Sequence, residues 1–405
     1  MSAPLRALFV NDVGFQFGAG LAHLRQAQSF LLLGHEVAAF SWDRAPAEER
    51  AAFGPGPPPA GWRGVLQFGE LDPRYGVRDD RIIEALVAAA RDQSPDVVVV
   101  GNLHGAKWPL ALLPALQSAG LRTVAFMHDC HLATGRCAYP GACRLYETGC
   151  DESCPTADEY PVLAPARIPA AWRLRREILG GPRGVPLATN SAWTLALARG
   201  SVPDLRHGAV VHYGLDEGVY KEIDRGLARR MLGLPPDAFV VLAGAVSLQD
   251  ARKGGRILAE AVKALSGEVL FAFFGMGLPE LPEAVPLGYV RDFRRMPVLY
   301  SAADVFLGTS LEEAFGQTFC EASACSRPVV AFGVGGIPEV ARHGLNARLL
   351  EEQSAQAVVS ELRRLKSDPE VCRELGRAGR TLVEQEFTLR RQGERWMAFL
   401  EELPA

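Results

Sequence analysis

Short apolar runs separated by helix-like segments recur along almost the whole chain, and this alternation constrains the fold more than any other feature. A first array has strand-like runs at 5–10, 36–41, 96–101, 122–127 and 186–191. A second array begins at Ala209, with runs near 210–213, 239–244, 268–275, 285–290, 304–308 and 328–332. Strands that alternate with helices form parallel sheets covered by helices. We therefore predict an α/β fold with two doubly wound, Rossmann-like sheets whose carboxyl edges face a central cleft.

The length of the chain fits two domains. With 405 residues and 48% hydrophobic content, the chain can bury two large cores, since one domain usually takes roughly 150–200 residues. We predict an N-terminal domain at 1–205 and a second domain at 206–385, followed by an amphipathic helix that starts near Phe387.

Charge and hydropathy exclude some classes of function. A net charge of -4 argues against a surface that coats nucleic acid, and no apolar run approaches the roughly 20 residues that span a bilayer. The N-terminus, MSAPLRALFVND, shows no secretory pattern, so we predict a cytoplasmic protein with no nucleic-acid partner. The basic amphipathic segment 170–179 allows either peripheral contact with anionic membrane lipid or a solvated surface helix. The oligomeric state is left open.

The stretch 309–346 places two glutamates beside the start of a helix. An apolar run is followed by Phe315-Gly316 and then by a helix-like segment, which predicts strand, turn and helix in that order. A helix that starts near Gly316 leaves its first N–H groups unpaired, and these favour a phosphate or sugar oxygen. Glu313 lies just before this start and Glu321 about one turn inside it, so one carboxylate suits a sugar and the other a ribose.

Two features of the first array indicate a ligand. Gly14, Gly18 and Gly20 follow the first strand, and their spacing differs from the dinucleotide fingerprint. This loop is therefore either a phosphate-facing or substrate-facing loop or a plain turn. His128 directly follows the strand-like run 122–127. Parallel sheets bind ligands at the edge where their strands end, so we predict that His128 faces a substrate.

Four of the eight cysteines lie in a segment, 133–165, that has almost no helical or strand periodicity. They are Cys137, Cys143, Cys150 and Cys154. In a reducing compartment such a set more often binds metal than forms disulfides, and four thiolates suit tetrahedral zinc. The spacing is not that of two close CxxC pairs, so structural zinc, free thiols and disulfides all stay open, with zinc favoured.

A set of short motifs follows a fixed order along nearly the whole chain. The first array carries Gly34-His35-Glu36-Val37, His128-Asp129 and Asn190-Ser191. The second carries Tyr213-Gly-Leu-Asp216, Arg252-Lys253-Gly254, Gly275-Met-Gly277, Leu287-Gly-Tyr-Val290, Glu313-Ala-Phe-Gly316, Glu321-Ala322, Pro328-Val-Val-Ala331 and Gly335-Gly-Ile-Pro-Glu339. Together these motifs resemble those of the retaining glycosyltransferases of family 4, whose fold is called GT-B. In that fold the terminal helix, here within 386–405, crosses back onto the first domain.

The resemblance implies a role for each matched position. Glu321 would bind the ribose of the donor, Glu313 its sugar, and Lys253 would neutralise the departing diphosphate. His128 would lie over the donor sugar from the opposite domain. The amides of Phe315, Gly316 and Gln317 would hold sugar hydroxyls, Thr318 the pyrophosphate, Gly18 and Gly20 would approach the phosphates, and Gly275, Gly277, Tyr289 and Val290 would line the nucleobase pocket.

The chain departs from the family pattern in a few places. Many members carry a second cation upstream of the lysine, and here Ser247 or Arg252 is the candidate substitute. Tyr213, Ser326 and Ala347 replace the usual Asn, Gly and Gly, and we interpret these as local backbone variations.

The activity that the resemblance implies is retaining transfer of a hexose-type sugar without a catalytic cofactor or metal. The donor would be a UDP- or GDP-sugar, and the acceptor a glycan, a lipid-linked molecule or a small molecule. The cysteine segment resembles one in colanic-acid-type exopolysaccharide glycosyltransferases, which ranks polysaccharide biosynthesis first. The alternatives are a nucleotide-sugar epimerase or glycan phosphorylase of the same fold, and a non-catalytic protein that binds nucleotide sugars.

Overall fold

The structure is a computed structural model that describes residues 3–15, 17–42, 53, 57–277 and 281–404. Contacts between residues divide the chain into two compact units. The first comprises Met1–Tyr213 together with Leu389–Ala405, and the second comprises Gly214–Thr388. We call them the first and the second domain.

The first domain is built on a parallel sheet of seven strands. The strands are β1 (Arg6–Asn11), β2 (Glu36–Ser41), β3 (Trp62–Gln67), β4 (Val97–Val100), β5 (Thr123–Met127), β6 (Leu187–Thr189) and β7 (Gly208–Val210). Their spatial order is β3-β2-β1-β4-β5-β6-β7. The central strand β4 is four consecutive buried valines, the continuous apolar pattern typical of a parallel strand that is covered on both faces.

Helices connect these strands. The longer ones are α1 (Phe17–Leu32), α2 (Asp79–Gln93), α3 (Leu112–Ser118), α4 (Leu145–Thr148), α5 (Ile168–Leu179) and α6 (Ala192–Ser201). Helix α6 starts with a capping box, in which the Ser191 hydroxyl accepts from the Thr194 amide and Thr194 bonds back to the cap. Within the insert 133–165, α4 is short and most of the remaining backbone is irregular.

The second domain has a parallel sheet of six strands in the order β10-β9-β8-β11-β12-β13. The strands are β8 (Val240–Ser247), β9 (Leu270–Met276), β10 (Ala284–Gly288), β11 (Val305–Gly308), β12 (Val329–Phe332) and β13 (Ala347–Leu350). The helices are α7 (Arg225–Leu232), α8 (Gly255–Ala264), α9 (Met296–Ala302), α10 (Gln317–Ala324), α11 (Ile337–Val340), α12 (Ala355–Ser367) and α13 (Pro369–Glu386). Two Rossmann-like domains with parallel sheets are present, so the predicted fold class is confirmed.

The last helix, α14 (Leu389–Glu402), belongs to the first domain and packs against α1. The fully buried Trp396 ring lies 6.0 Å from the Phe30 ring and 5.7 Å from the Phe126 ring. Gly393 allows the two helices to approach closely, since a β-carbon there would lie 2.8 Å from the Ser29 carbonyl oxygen. Aromatic burial of this kind anchors the end of the chain to the first domain.

One strand prediction needs correction, and two strands of the structure have no prediction. The run predicted at 210–213 as the start of the second sheet is β7, which pairs with β6 at the edge of the first sheet. Strands β3 and β13 were not predicted. Both mix half-buried and polar residues, as edge strands do, so they lack the continuous apolar pattern of the central strands. The sequence before β3 has a Pro/Gly-rich stretch at 54–61, which is typical of a surface loop, and residues 54–56 of it lie outside the described residues.

Every helix in the described ranges is too short or too polar to cross a membrane.

Three buried histidines make the stability of the first domain sensitive to acid. Burial lowers the pKa of His23 from 6.5 to about 3, a change that the Phe9 backbone only partly opposes. Burial also holds the pKa values of His128 and His131 well below 6.5, with help from neighbouring positive charges. All three are therefore neutral in the folded chain at pH 7.

We expect the free energy of unfolding to fall as the pH drops below 6.5. Below that pH the unfolded chain binds protons at these histidines and the folded chain does not. Each histidine therefore lowers the free energy of unfolding by about 1.4 kcal/mol per pH unit. Urea unfolding at pH 7.0, 6.0 and 5.5 measures this slope. The variant His23→Leu should reduce the slope, whereas replacing the exposed His343 by Gln should leave it unchanged. A flat profile for the wild type over this range would contradict the assignment.

Candidate functional site

The residues predicted for the donor lie along the carboxyl edge of the second sheet. Ser247 ends β8, Gly277 follows β9, and Tyr289 follows β10. Glu313 lies in the loop between β11 and α10, and Gly316 is the N-cap residue of α10. Parallel sheets bind ligands at the edge where their strands end. Successive strands of the second sheet therefore bring these residues to the same edge.

An ion pair joins the two residues with the strongest predicted chemical roles. The Lys253 Nζ donates to Glu313 Oε2 over 2.6 Å, and both side chains are largely buried, at 21% and 16% exposure. Burial raises the pKa of Glu313, but the charges of Lys253 and Arg252 lower it by more, so the carboxyl titrates below its ordinary value. Glu313 is therefore ionised at neutral pH, and the ammonium of Lys253 is held in place beside it.

Backbone contacts fix this pair. The Thr309 hydroxyl donates to the Lys253 carbonyl over 2.8 Å, and the Leu311 amide donates to the Arg252 carbonyl over 2.7 Å. On the other side, Gly335 lies directly against the Glu313 backbone with φ of +58°, and a β-carbon there would lie 2.1 Å from the Glu313 carbonyl oxygen. Only glycine satisfies both the conformation and the close approach. The glycine pair of the motif 335–339 is thus a support for Glu313.

The start of α10 presents its first amides near the same glutamate. Gly316 is the N-cap, and Gln317 and Thr318 are the first helical residues, half-buried and with their N–H groups outside the helical ladder. Phe315 is buried, and its ring lies 6.0 Å from the Phe387 ring. The turn is therefore fixed by packing, which keeps the amides in position.

Glu321 is more deeply buried than Glu313, at 4% exposure. It accepts a hydrogen bond from the Tyr300 hydroxyl over 2.8 Å, through Oε2. Burial and the Glu321 carboxylate together hold the pKa of Tyr300 well above 10, so the phenol remains a donor. Tyr300, on α9, orients Glu321 and was not identified from the sequence, because nothing in the local pattern links the two residues.

The candidates for a second cation are close to the pair. Arg252 forms an ion pair with Asp250, and its charge is among those that lower the pKa of Glu313. Ser247 accepts from the Gln249 amide over 3.3 Å. The charge of a guanidinium thus acts on Glu313, whereas Ser247 contributes a neutral hydroxyl at the end of β8.

The residues predicted for the nucleobase follow neighbouring strands. Gly275 lies at the end of β9 with Gly277 just after it, and Val290 follows Tyr289 beyond β10. Tyr289 is 38% exposed. A β-carbon on Gly275 would lie 1.9 Å from the Ala245 carbonyl oxygen, so the two strand ends are in direct contact there.

Helix α1 begins earlier than predicted. Gly18 and Gly20, expected in a loop, lie in its first turn, because the helix starts at Phe17. A β-carbon on Gly20 would lie 2.0 Å from the Gly14 carbonyl oxygen, which crosses over the helix start. Gly20 therefore has a packing role, and the contact of either glycine with phosphates stays a prediction.

His128 is held by a hydrogen-bonded group at the end of β5. Its Nδ1 lies 2.6 Å from the Tyr213 hydroxyl, and the two rings stack with centroids 5.8 Å apart. Asn190 Nδ2 donates both to the His128 carbonyl and to the Tyr213 hydroxyl, over 2.9 and 3.1 Å. His128 Nε2 is buried and has no hydrogen-bond partner in the described residues. The ring is thus held through Nδ1, and the contact of His128 with a substrate stays a prediction.

This arrangement corrects one interpretation. Tyr213 is more than a local backbone variation, since its hydroxyl contacts the His128 ring. Ser326 does adopt a left-handed backbone, with φ of +57°, at the place where the family has glycine.

The four cysteines of the insert are free thiols in the structure. The sulfurs of Cys137 and Cys154 both lie near the Thr156 hydroxyl oxygen, at 3.8 and 3.9 Å, and Cys150 Sγ accepts from the Gly135 amide. Burial raises the pKa of Cys150 to about 11. Across the described chain, no group of three or more His, Cys, Asp or Glu side chains is arranged to hold a metal ion. The zinc assignment, which includes Cys143, stays a prediction.

Comparison with known sequences gives a match to part of the second domain. Residues 238–368 match the family described as "Glycosyl transferases group 1". A curated relative, the D-inositol 3-phosphate glycosyltransferase of Streptomyces bingchenggensis, is 31% identical over an alignment of 236 residues that covers 51% of this chain and 50% of the relative. The chain thus spans about half the length of the curated relatives it matches.

Comparison with solved structures covers the whole fold. Anabaena Alr3699/HepE in complex with UDP and glucose has a TM-score of 0.72 at 18% identity, covering 98% of this chain and 100% of the other. The sucrose-phosphate synthase of Thermosynechococcus elongatus has a TM-score of 0.73 at 18% identity, covering 98% of each chain. Such identities show the shared fold alone. Residues 238–368 thus resemble the glycosyl transferases group 1 family, and the whole chain shares the two-domain fold of these solved structures.

Proposed function

We propose that this protein is a retaining glycosyltransferase that moves a hexose-type sugar from a UDP- or GDP-sugar to a hydroxyl group of an acceptor. The second domain binds the donor and the first domain binds the acceptor. The observation that carries the proposal is the Lys253–Glu313 ion pair of 2.6 Å beside the start of α10. It combines a fixed positive charge, a carboxylate and the start of a helix at one sheet edge.

Each part of that site has a task in sugar transfer. The carboxylate of Glu313 accepts hydrogen bonds from sugar hydroxyls, and the amides at Gly316 and Gln317 donate to sugar or phosphate oxygens. Glu321, oriented by Tyr300, is suited to accept from the ribose hydroxyls. The solved structure of Alr3699/HepE with UDP and glucose supports a uridine nucleotide as the first donor to test.

The transfer step places negative charge on the leaving diphosphate, and that charge must be stabilised. A bond forms from the acceptor oxygen to the anomeric carbon, and the bond from that carbon to the diphosphate oxygen breaks. The nucleoside diphosphate leaves with the added negative charge, and the acceptor hydroxyl proton passes to it. Lys253 is placed to neutralise that charge, with Arg252 as the second cation. The proposal therefore assigns this task to side chains, without a catalytic metal.

The acceptor is the least constrained part. A glycan, a lipid-linked molecule and a small molecule all offer the hydroxyl that the step requires. We place polysaccharide biosynthesis first because the cysteine segment resembles that of colanic-acid-type enzymes. Peripheral membrane contact through α5 belongs to the same proposal, since Arg173 and Leu174 of that helix are exposed.

Donor binding and transfer are tested in sequence. A thermal-shift panel of UDP, GDP, UDP-glucose and GDP-mannose should show one nucleotide series raising the melting temperature, because only the folded chain binds it. With the preferred donor, the product should keep the anomeric configuration by NMR, and excess EDTA should leave turnover unchanged. An inverted product would contradict the retaining outcome. Loss of turnover in EDTA would contradict transfer without a catalytic metal. No shift with any nucleotide would contradict the function itself.

We also propose that the four cysteines of the insert hold a structural zinc ion. Their side chains would have to turn towards a common point, since they do not form such a set as described. Elemental analysis should give about one zinc per chain for the wild type. The variant Cys137→Ser/Cys150→Ser should lose it and melt at a lower temperature, whereas the matched Cys320→Ser/Cys325→Ser should keep it. A wild type with no zinc and four titratable thiols would remove the proposal.

A further inference from the structure

A second group of polar side chains lies at the carboxyl edge of the first sheet, and the roles assigned so far do not use it. We call it the acid–histidine cluster; it consists of Asp12, His104 and Asp129. Asp12 follows β1, His104 lies beyond β4, and Asp129 follows β5. These strands are neighbours in the order β1-β4-β5, so the fold brings the three side chains to one place.

The cluster is buried and built by specific hydrogen bonds. Asp12 is 1% exposed and accepts from the amides of Val13 and Gly105, over 2.7 and 2.5 Å. Asp129 is 9% exposed and accepts from Asn102 Nδ2 over 3.0 Å. A β-carbon on Gly105 would lie 2.8 Å from the Asp12 carboxylate, so that position must stay small.

His104 leaves hydrogen-bonding capacity unused. Its side chain is 8% exposed, and Nε2 lies 3.6 Å from Asp129 Oδ2, which is beyond a good hydrogen bond. Nδ1 is buried and has no partner in the described residues. A buried ring nitrogen without a partner is rare in native structures and is commonly explained by a ligand or water. Together with the carboxylates, the ring can both donate to a hydroxyl group and accept from it.

The charge of the cluster restricts what binds. Among the described side chains, His104 and Asp129 are those whose charges act most strongly on Asp12, and neither is a lysine or an arginine. Burial raises the pKa of Asp12, which shows how poorly this place accommodates negative charge. A phosphate or carboxylate group here would meet two acidic side chains in a buried setting, where like charges repel strongly.

We infer that the acid–histidine cluster binds hydroxyl groups of a neutral, polyhydroxylated acceptor ring that carries no phosphate or carboxylate. This inference rests on the proposed transfer function and names the class of its acceptor. It differs from the names of the curated relatives, which specify D-inositol 3-phosphate. Hydroxyl groups match the cluster because each can donate to a carboxylate while it accepts from the imidazole.

Pairs of acceptors that differ by one phosphate test the inference. We would compare myo-inositol with D-inositol 3-phosphate, and glucose with glucose 6-phosphate, using the donor selected by thermal shift. The wild type should favour the neutral member of a pair by at least about tenfold in kcat/KM. The isosteric variant Asp129→Asn removes one negative charge and should narrow that preference by several-fold. Glu84→Gln removes an exposed charge elsewhere in the domain and should leave the preference as it is.

A thermal-shift titration with the same four compounds separates this inference from the function on which it rests. A larger shift with the neutral members supports the inference even if no transfer occurs, and absence of transfer then counts against the proposed function. Equal or larger shifts with the phosphorylated members would overturn the inference. So would a wild-type preference for phosphorylated acceptors, or an unchanged preference in Asp129→Asn.

Discussion

Replacing Lys253 by alanine is expected to lower kcat by about 100-fold to 1,000-fold, the usual cost of removing one preorganised charge from a transition state. The ammonium lies 2.6 Å from Glu313 and is largely buried, so water cannot take its place without rearrangement. Two effects combine in this variant. The leaving diphosphate loses its cation, and the carboxylate of Glu313 loses the partner that keeps its pKa low.

Kinetics on matched variants isolates the charge effect. Lys253→Arg keeps the charge and should retain more activity than Lys253→Ala. Lys263→Ala removes an exposed lysine from α8 of the same domain and should behave as wild type. Initial rates at saturating donor, with melting temperatures measured in parallel, separate lost chemistry from lost folding. Turnover in Lys253→Ala within threefold of the wild type, with donor affinity preserved, would contradict the assigned role.

The central strands of both sheets were predictable because they are buried on both faces. Val97–Val100 and Val329–Phe332 are continuous apolar runs, the pattern typical of a parallel strand that is covered on both faces. Edge strands such as Trp62–Gln67 are half-buried and mix polar with apolar residues. The same mixed pattern occurs in loops, so local sequence does not separate the two.

The site was predictable only as far as local sequence order allows. Glu313 and Glu321 are candidates because they lie just before and about one turn inside the start of one helix, and Lys253 is a candidate through its motif. The bond between Lys253 and Glu313 joins residues 60 positions apart, and that between His128 and Tyr213 joins residues 85 apart. Such partners are selected by how the strands order in the sheet. No periodicity in the chain reports that order.

For the acid–histidine cluster, too, local sequence signals only part of the set. Asp12 directly follows the first strand, and that position alone is a signal for a ligand-facing side chain. His104 carries no comparable signal, because it lies several residues beyond its strand. Only the neighbouring positions of β1, β4 and β5 bring the two together. A search of every strand end for polar residues would have found Asp12 and missed His104.

Gly335→Ala is expected to lower both the turnover and the stability of the protein. The new methyl group would lie 2.1 Å from the Glu313 carbonyl oxygen, so the loop that carries Glu313 must move. A displacement of about 1 Å in a positioned group can cost about 100-fold in rate. The backbone adds a second cost, since φ of +58° is unfavourable for alanine by about 1–2 kcal/mol.

Gly344→Ala separates these two costs, because Gly344 has φ of +78° and no atom within 4 Å of the place where its β-carbon would lie. Gly344→Ala should lose about 1–2 kcal/mol of unfolding free energy because of its positive φ. It should keep the kcat of the wild type. Gly335→Ala should lose at least as much stability and also fall by about 100-fold in kcat. Urea unfolding and initial-rate kinetics on both variants measure the two effects. Equal rates in the two variants would show that Gly335 supports the fold and not the position of Glu313.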